Sequence, residues 1–539
     1  MSQPTFFQKL YRAPEVDPIT GKALSIPVLN PLNKYGRTFH FAWLGFFVAF
    51  LSWFAFAPLV HDSLKADLNL TTADVANSNI AALASTLLVR VIVGPLTDRF
   101  GPRWTMAGCL LAGAIPTAFA PLVTNANGLI VLRFFIGILG GTFVPCQVWT
   151  TAFFDKSVVG RANALAAGWG NAGGGVTFFV MPAVVNGFVS MGYSHHMAWR
   201  IAFPACPLII IVCTAAMILV FGKDTPNGKW ADRAIRQENM RQIYENEGKV
   251  TDVPLANFND YAGPTSGTAT PRVMDEKKIH DPAQTSAVIE EADSSIIEPP
   301  TAQTAWQAAY SLQTMLVALP YICTFGAELA IEGVISALYQ TQAKRIDGQI
   351  WSQQLAGNWA AMFGLLNIIT RPLGGYFADL IYARTNVAYK KWWLMFLGVM
   401  EGIFFVWIGF CPNLPVHHLI GALVGLAIFM EAGNGANFAL VPHLNPKHNG
   451  VVTGIVGSFG NLGGVIFNLV FRYEGTNYFK SLYIIGFVIV AIHVLVCWVP
   501  VPGKHGLFLG FASFRLSLRV YRWFEYPFNN WTKRYGVRP

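Results

Sequence analysis

Apolar runs of about 20 residues recur along the chain, with polar segments between them. A run of roughly this length crosses the hydrocarbon core of a bilayer as a helix. Twelve such runs stand in two groups of six: residues 39–61, 76–96, 104–124, 127–147, 160–186 and 198–222, then 309–336, 354–380, 391–411, 417–438, 449–471 and 481–500. The pattern predicts an all-α membrane protein in which twelve transmembrane helices form two six-helix bundles.

The polar segments between these groups predict the domain organisation. We expect a cytoplasmic N-terminal segment, a first bundle, a central loop, a second bundle and a basic, aromatic cytoplasmic tail, over residues 1–38, 39–222, 223–305, 306–500 and 501–539. The central loop holds too little apolar surface to fold alone, so it should be largely disordered. A polar helix over Lys229 to Lys249 and phosphorylation of its Ser and Thr residues are possible. The tail is either an amphipathic helix on the inner leaflet or unstructured.

Composition supports the membrane assignment. Only 12% of the residues are charged, against about 25% in soluble proteins. The net charge of +9 would suggest a nucleic-acid partner in a soluble protein, but basic residues also collect in cytoplasmic loops. In this chain, the basic loop residues lie on the same side of the membrane as both termini, which predicts that the termini are cytoplasmic. We therefore expect a multi-pass plasma-membrane protein without nucleic acid, and a monomer.

The seven cysteines have neither metal-ligand spacing nor the pattern of a disulfide framework, because all lie within or beside apolar runs. They are expected to be small buried hydrophobic residues. The sequence also lacks a phosphate-binding loop and a catalytic constellation. These features predict neither metal, cofactor nor enzymatic activity.

Two arginines interrupt apolar runs at equivalent places in the two halves. The surrounding motif is Arg-x3-Gly-x3-Asp, with Arg90, Gly94 and Asp98 in the first copy and Arg371, Gly375 and Asp379 in the second. An arginine at mid-membrane depth costs several kcal/mol, so it should face protein or water and serve a function. No carboxylate lies nearby in either run, and the pair therefore suggests a site for a small anion.

Two glycine-dense stretches also repeat, and both contain Gly-Asn-x-Gly-Gly. The shared positions are Gly170, Asn171, Gly173 and Gly174 in the fifth run and Gly460, Asn461, Gly463 and Gly464 in the eleventh. Glycines in membrane helices allow close backbone approach, and helix packing accounts for most of them. A buried asparagine needs hydrogen-bond partners, so Asn171 and Asn461 could bind the anion or hold the arginines.

The segment after Arg90 resembles the gating loop of the major facilitator superfamily. It reads Gly-x3-Asp-Arg-x-Gly-x-Arg, with Gly94, Asp98, Arg99 and Arg103 at the matching positions. The second copy keeps Gly375 and Asp379, and Arg384 is a candidate for the missing arginine. The resemblance implies a charge cluster that locks neighbouring helices on the cytoplasmic face in one state and releases them in the other.

Together, these repeats resemble the nitrate/nitrite porter family of that superfamily, and the long central loop resembles its fungal high-affinity nitrate transporters. The resemblance covers nearly all of residues 24–500. It implies the major facilitator fold with a pseudo-two-fold axis, Arg90 and Arg371 as substrate arginines, and transport of nitrate and nitrite. Tyr321 and Phe325 match the family's Tyr-x3-Phe, which implies a hydroxyl directed to the anion and a phenyl wall.

Anion uptake against an inside-negative potential costs about 2.3 kcal/mol per charge per 100 mV. Import therefore needs at least two protons per nitrate, or exchange against another anion. The candidate proton carriers are Glu328, Glu332, Glu401 and Glu431. The leading hypothesis is a nitrate–proton symporter, the alternatives being a nitrate/nitrite antiporter and a nitrate-sensing receptor.

Overall fold

The computed structural model describes residues 6–17, 20–59, 64–232, 301–351, 353–445, 447–475 and 477–501. The predictions for most of the central loop (residues 233–300) and for the tail beyond residue 501 lie outside these residues. The described part is almost entirely helical, and its only β-pairings are isolated bridges that join Ala23 to Val16 and to Phe154.

Twelve membrane crossings follow one another in the order that the hydropathy predicts. We number them α1 Lys34–Trp53, α2 Thr72–Phe100, α3 Pro102–Ala118, α4 Ala126–Phe153, α5 Val159–Ser190, α6 His195–Phe221, α7 Leu312–Ile346, α8 Gln353–Arg384, α9 Val387–Gly409, α10 Val416–Leu444, α11 Asn449–Glu474 and α12 Tyr478–Val496. Shorter helices span Phe6–Tyr11, Lys65–Asp67 and Ala302–Ala309. The prediction of an all-α protein with two groups of six crossings is confirmed.

Eleven of these crossings are long and apolar enough to span a membrane on length and hydropathy alone, although α4 contains a 3-10 segment over Gly137–Thr142 and α6 a π segment over Pro204–Leu208. The exception is α8, in which helix Gln353–Leu365 gives way to a 3-10 turn over Leu366–Ile368 before helix Thr370–Arg384. The apolar run over 354–380 therefore contains a break, and Arg371 lies directly after it.

Local sequence signals fix both ends of α2 and the start of α3. At the start of α2, Thr71 and Asp74 form a capping box, in which each side chain accepts from the other residue's backbone N–H. Between α2 and α3, Gly101 has a φ of +91°, a conformation that glycine adopts at little cost. Pro102 then opens α3, where its missing N–H costs no helical hydrogen bond.

The two bundles meet along two helix pairs that are equivalent in the repeat. Helix α2 of the first bundle packs on α11 of the second, and α5 of the first bundle packs on α8 of the second. Asp98 and Asp379 lie at the same end of these pairs. We call that membrane side, which also carries the N-terminal segment, the latch face.

Candidate functional site

Arg90 and Arg371 come together at the interface between the bundles. Both side chains are 0% exposed. The guanidinium carbon of Arg90 lies 4.8 Å from the ring centre of Phe143 and 5.5 Å from that of Phe325. The guanidinium carbon of Arg371 lies 5.9 Å from each of the same two rings. Arg90 and Arg371 thus come from opposite bundles and lie against the same two aromatic rings.

Each arginine is positioned by part of its donor set. Nε of Arg90 donates to the Gly140 carbonyl and Nη1 to the Gly457 carbonyl, both at 2.9 Å. Nη2 of Arg371 donates to the Tyr321 hydroxyl at 3.0 Å. The remaining nitrogens, Nη2 of Arg90 and Nε and Nη1 of Arg371, are buried and have no acceptor among the described residues. Because buried donors are normally paired, these three nitrogens fit a small anion with several acceptor oxygens.

Aromatic side chains enclose the pair. The ring of Tyr321 is stacked on that of Phe325, with centres 5.0 Å apart and planes 3° apart. Phe143 lies nearly parallel to Tyr321 at 6.3 Å, and Phe438 meets Tyr321 edge-on at 5.0 Å. The structure therefore adds Phe143 of α4 and Phe438 of α10 to the predicted residues. Their sequence signal is placement in two similar glycine-rich stretches, but no chemical group distinguished them.

Several repeat glycines lie where a side chain would collide with the site. A Cβ at Gly457 would lie 3.0 Å from Cδ of Arg90, and one at Gly460 would lie 2.7 Å from the Tyr321 ring. The other motif glycines serve helix crossings: Gly170 and Gly173 meet α1, Gly463 meets the backbone of α7, Gly174 faces Phe54 and Gly464 faces Leu329. The packing role expected for most of these glycines matches their surroundings.

The two motif asparagines have different partners. Nδ2 of Asn461 donates at 3.0 Å to the Gly457 carbonyl, which also accepts from Arg90. Nδ2 of Asn171 donates at 2.6 Å to Oε1 of Glu328. Asn461 therefore supports an arginine through a shared carbonyl, whereas Asn171 binds a buried carboxylate.

The four predicted proton carriers lie in different environments. Glu328 is 0% exposed and also accepts from Asn367 and Asn434. Glu431 is hydrogen-bonded to Thr370, and both carboxyl oxygens of Glu401 are buried without a hydrogen-bond partner among the described residues. Glu332 is half-buried and borders a cleft between α1, α5 and α8. All four belong to helices of the second bundle, and all except Glu332 are fully buried.

The two motif aspartates join the bundles at the latch face. Asp98 at the end of α2 accepts from the N–H groups of Gly450 and Val451, at 2.9 and 3.0 Å, in the first turn of α11. Asp379 at the end of α8 accepts from the N–H of Arg161 at 2.7 Å, in the first turn of α5. Each carboxylate satisfies free N–H groups and complements the positive end of the opposite bundle's helix.

Neighbouring motif residues strengthen this closure. A Cβ at Gly94 would lie 2.7 Å from the Gly450 carbonyl, and one at Gly375 would lie 2.5 Å from the Gly160 carbonyl. Both glycines thus permit backbone contact beside an aspartate. The buried Lys390 donates to Asp379 at 3.0 Å, so a lysine on α9 occupies the position beside this carboxylate.

The motif arginines bind within the first bundle. The backbone N–H of Arg103 donates to Asp224 at 2.9 Å, and its guanidinium donates to the Leu219 carbonyl at the end of α6. The guanidinium of Arg99 lies 5.5 Å from the Phe100 ring. The described contacts of Arg103 therefore hold α3 to α6, whereas the aspartates contact the opposite bundle at the latch face.

Comparisons with known proteins agree with this architecture. A family profile described as Major Facilitator Superfamily matches residues 42–467. The chain is similar in fold to the E. coli fucose:proton symporter FucP (13% identity, 87% of this chain and 100% of that chain, TM-score 0.52). It is also similar in fold to the proton:xylose symporter XylE (14% identity, 87% and 97%, TM-score 0.56).

Curated relatives share more sequence. High affinity nitrate transporter 2.5 of Arabidopsis thaliana is 29% identical over 93% of this chain and 86% of its own length. Nitrate transporter 2.2 of Chlamydomonas reinhardtii is 30% identical (83% and 74%), and Elsinochrome transporter 1 of Elsinoe fawcettii is 31% identical (91% and 97%). The resemblance to nitrate transporters expected from the motifs is confirmed. The chain belongs to the Major Facilitator Superfamily, and like its relatives it is a transporter and not an enzyme.

Proposed function

We propose that this protein imports nitrate across the plasma membrane by alternating access, with the anion held between Arg90 and Arg371. The observation that carries the proposal is the set of three buried guanidinium nitrogens without an acceptor, on two arginines that share the same aromatic rings. The names of the plant and algal relatives support nitrate as the substrate.

The shape of nitrate suits this donor arrangement. Nitrate is planar, carries one delocalised charge and offers three acceptor oxygens, and a guanidinium is a planar, permanently charged fork of donors. The nearly parallel rings of Tyr321 and Phe143 favour a flat anion over tetrahedral ions such as sulfate or phosphate. Nitrite offers the same charge with two oxygens, and we propose it as a second substrate.

The latch face supplies the gate. In this structure, Asp98 and Asp379 hold that side closed through the first turns of α11 and α5. Opening it requires both carboxylates to leave those helix ends. We propose that the latch face is cytoplasmic, with both termini on that side, and that the protein works as a monomer.

Proton symport supplies the energy in this proposal, because two protons per nitrate make the transported charge positive. Nitrate/nitrite antiport is the alternative with the same fold. A receptor that binds nitrate and signals through the central loop is a further alternative. The Elsinochrome transporter suggests a fourth possibility, a different cargo. The full burial of both arginines and of Tyr321 favours a small anion over a bulky one.

Flux measurements in proteoliposomes separate these possibilities. The purified full-length protein is reconstituted, and nitrate entry is followed with and without an inward proton gradient and with and without internal nitrite. Symport predicts uphill nitrate accumulation that requires the proton gradient alone. Accumulation that requires only internal nitrite indicates antiport, and nitrate binding without flux indicates a receptor. Transport of elsinochrome in the absence of nitrate binding would contradict the proposal.

A further inference from the structure

Glu328 of α7 is enclosed by three side-chain amides. Nδ2 of Asn171 and Nδ2 of Asn367 donate to its Oε1 at 2.6 and 2.7 Å, and Nδ2 of Asn434 donates to its Oε2 at 2.6 Å. These amides come from α5, from the 3-10 break of α8 and from α10. In the described part of the chain, Glu328 forms no ion pair with a lysine or arginine. It is thus a buried carboxylate held by neutral donors.

The same three amides can also serve a protonated carboxyl group. The Oδ1 atoms of Asn171, Asn367 and Asn434 are buried and have no hydrogen-bond partner within the described ranges. A carboxylic acid needs an acceptor for its O–H, and an amide that turns by 180° exchanges a donor for an acceptor. The three amides can therefore form hydrogen bonds with Glu328 in both its ionised and its protonated state. A carboxylate with a purely structural role does not require this.

The spacing fits a proton and not a metal ion. After an amide turn, an amide oxygen and a carboxyl oxygen would lie 2.6–2.7 Å apart, within the usual range for an O–H···O hydrogen bond. The described residues also contain no group of three or more potential metal-binding His, Cys, Asp or Glu side chains.

The three amides connect Glu328 both to the bundle interface and to the proposed anion site. Asn171 belongs to the first bundle, so its bond to Glu328 crosses between the bundles. Asn367 lies one helical turn before Arg371, and Tyr321, which accepts from Arg371, lies two turns before Glu328 on α7. A change in the charge of Glu328 therefore acts on helices α7 and α8, which hold the second arginine.

We propose that Glu328 is one of the proton-binding sites of the transport cycle and that Asn171 couples its charge to the movement of the bundles. This inference rests on the proposed nitrate symport. A hydronium ion transfers one proton to a Glu328 oxygen, leaving water, and the new O–H donates to Oδ1 of a turned amide. Water on the other side takes the proton back after the bundles have moved.

Protonation of Glu328 offsets the charge of the anion. Two arginines and an ionised Glu328 sum to +1 in the empty site, nitrate lowers the sum to zero, and protonation of Glu328 restores it to +1. The loaded and empty forms then carry the same charge, so Glu328 supplies one of the two protons of the proposed symport, and the second proton makes the net transported charge positive. The other titratable and charged groups that act electrostatically on this cluster are Glu332 of α7, Arg371 of α8, Glu401 of α9, Glu431 of α10 and Tyr321 of α7.

The test compares Glu328→Gln with Glu401→Gln in proteoliposomes. Gln keeps the shape of the side chain, and its amide N–H groups can donate to the Oδ1 atoms of the three asparagines. Glu401, a competing candidate proton carrier, is equally buried but has no amide partner among the described residues, so the comparison tests whether the amides single out Glu328. Two readings are taken, nitrate exchange without a proton gradient and nitrate accumulation driven by a proton gradient. A pH-sensitive dye inside the vesicles records proton entry on addition of nitrate.

We expect Glu328→Gln to retain nitrate exchange within about threefold of wild type and to lose at least tenfold of the gradient-driven accumulation, together with the nitrate-induced acidification. Glu401→Gln should retain both.

Full coupling in Glu328→Gln, or its loss in Glu401→Gln alone, overturns the assignment while leaving symport intact. A wild-type protein that exchanges nitrate but ignores the gradient refutes symport and this inference together, and one that binds no nitrate refutes the proposed function itself. If Glu328→Gln loses nitrate exchange, its melting temperature is measured with and without nitrate at several pH values. An unchanged nitrate-induced stabilisation that no longer varies with pH supports the assignment, and one that varies as in wild type overturns it.

Discussion

At the scale of single residues, the geometry of the guanidinium groups governs the site. Arg90 uses Nε and Nη1 for backbone carbonyls, which leaves Nη2 for the anion, and Arg371 leaves Nε and Nη1. In the proposed function, one side chain thus holds its own position with some nitrogens and binds the anion with others. A lysine offers one ammonium group and cannot do both in the same geometry.

We therefore expect Arg90→Lys and Arg371→Lys each to reduce nitrate uptake at least tenfold although the charge is kept. Initial rates in proteoliposomes over a range of nitrate concentrations measure the effect. The matched control is Arg472→Lys at the exposed end of α11, which should change uptake less than twofold. Near-normal uptake in either substrate-site variant would contradict bidentate binding.

Gly457 provides a second residue-scale prediction. A Cβ there would lie 3.0 Å from Cδ and 3.3 Å from Nη1 of Arg90, so Gly457→Ala should displace the guanidinium and raise the KM for nitrate severalfold. Gly421→Ala is the control, because a Cβ at that position meets nothing within 4 Å. Equal KM values in the two variants would show that Arg90 tolerates the added methyl group.

At the scale of helices, the two aspartate caps join the bundles at the latch face, which is the gate in the proposed mechanism. A carboxylate at a helix N-terminus contributes about 0.3–2 kcal/mol, and the two caps lie on separate helix pairs, so their effects should add. Asp98→Asn or Asp379→Asn should each open the latch face more often, by a few-fold to about 30-fold at the upper end of this energy. The double variant should exceed either single one.

Thiol labelling measures this opening. A cysteine introduced at Val451, beside Asp98 and 4% exposed, should react faster with a polar maleimide in either Asn variant. The same variants without the introduced cysteine give the background from the native thiols. Labelling rates that do not rise in the double variant would show that other contacts keep this face shut.

The elements also show what the sequence could and could not predict. Hydropathy is a local property, so the twelve crossings could be predicted from the sequence. The repeat likewise identified Arg90 and Arg371 as a pair. The break over Leu366–Ile368 could not be predicted, because two of its three residues are apolar and continue the run. Asn171 and Asn461 occupy the same motif position but have different partners, and partner choice depends on tertiary packing that no motif encodes.

At the scale of the whole molecule, the start of the central loop is anchored to the latch face. Oδ1 of Asp224 accepts from the N–H of Arg103 in the first turn of α3, and Nε1 of Trp230 donates to the Asp98 carbonyl at 2.9 Å. Burial raises the pKa of Asp224 to about 6. This side chain therefore carries a pH dependence that is separate from transport.

Between the unfolded pKa of about 3.8 and the folded pKa of about 6, the folded protein holds a proton that the unfolded chain has released. Stability due to Asp224 therefore falls as pH rises through this window, by about 3 kcal/mol at most. Asp224→Asn removes this loss, so its melting temperature relative to wild type should increase between pH 4 and pH 7. A difference that stays constant with pH would contradict the raised pKa.

The interrupted crossing α8 also bears on how the protein is made. A segment with Arg371, Asp379 and Arg384 and a break in its helix is costly to place in lipid by itself. Its polar groups find partners on α5, α7 and α10, and α10 is synthesised later. Stable insertion of α8 thus depends on an earlier bundle and on a helix not yet made, which makes this crossing a late step in biogenesis.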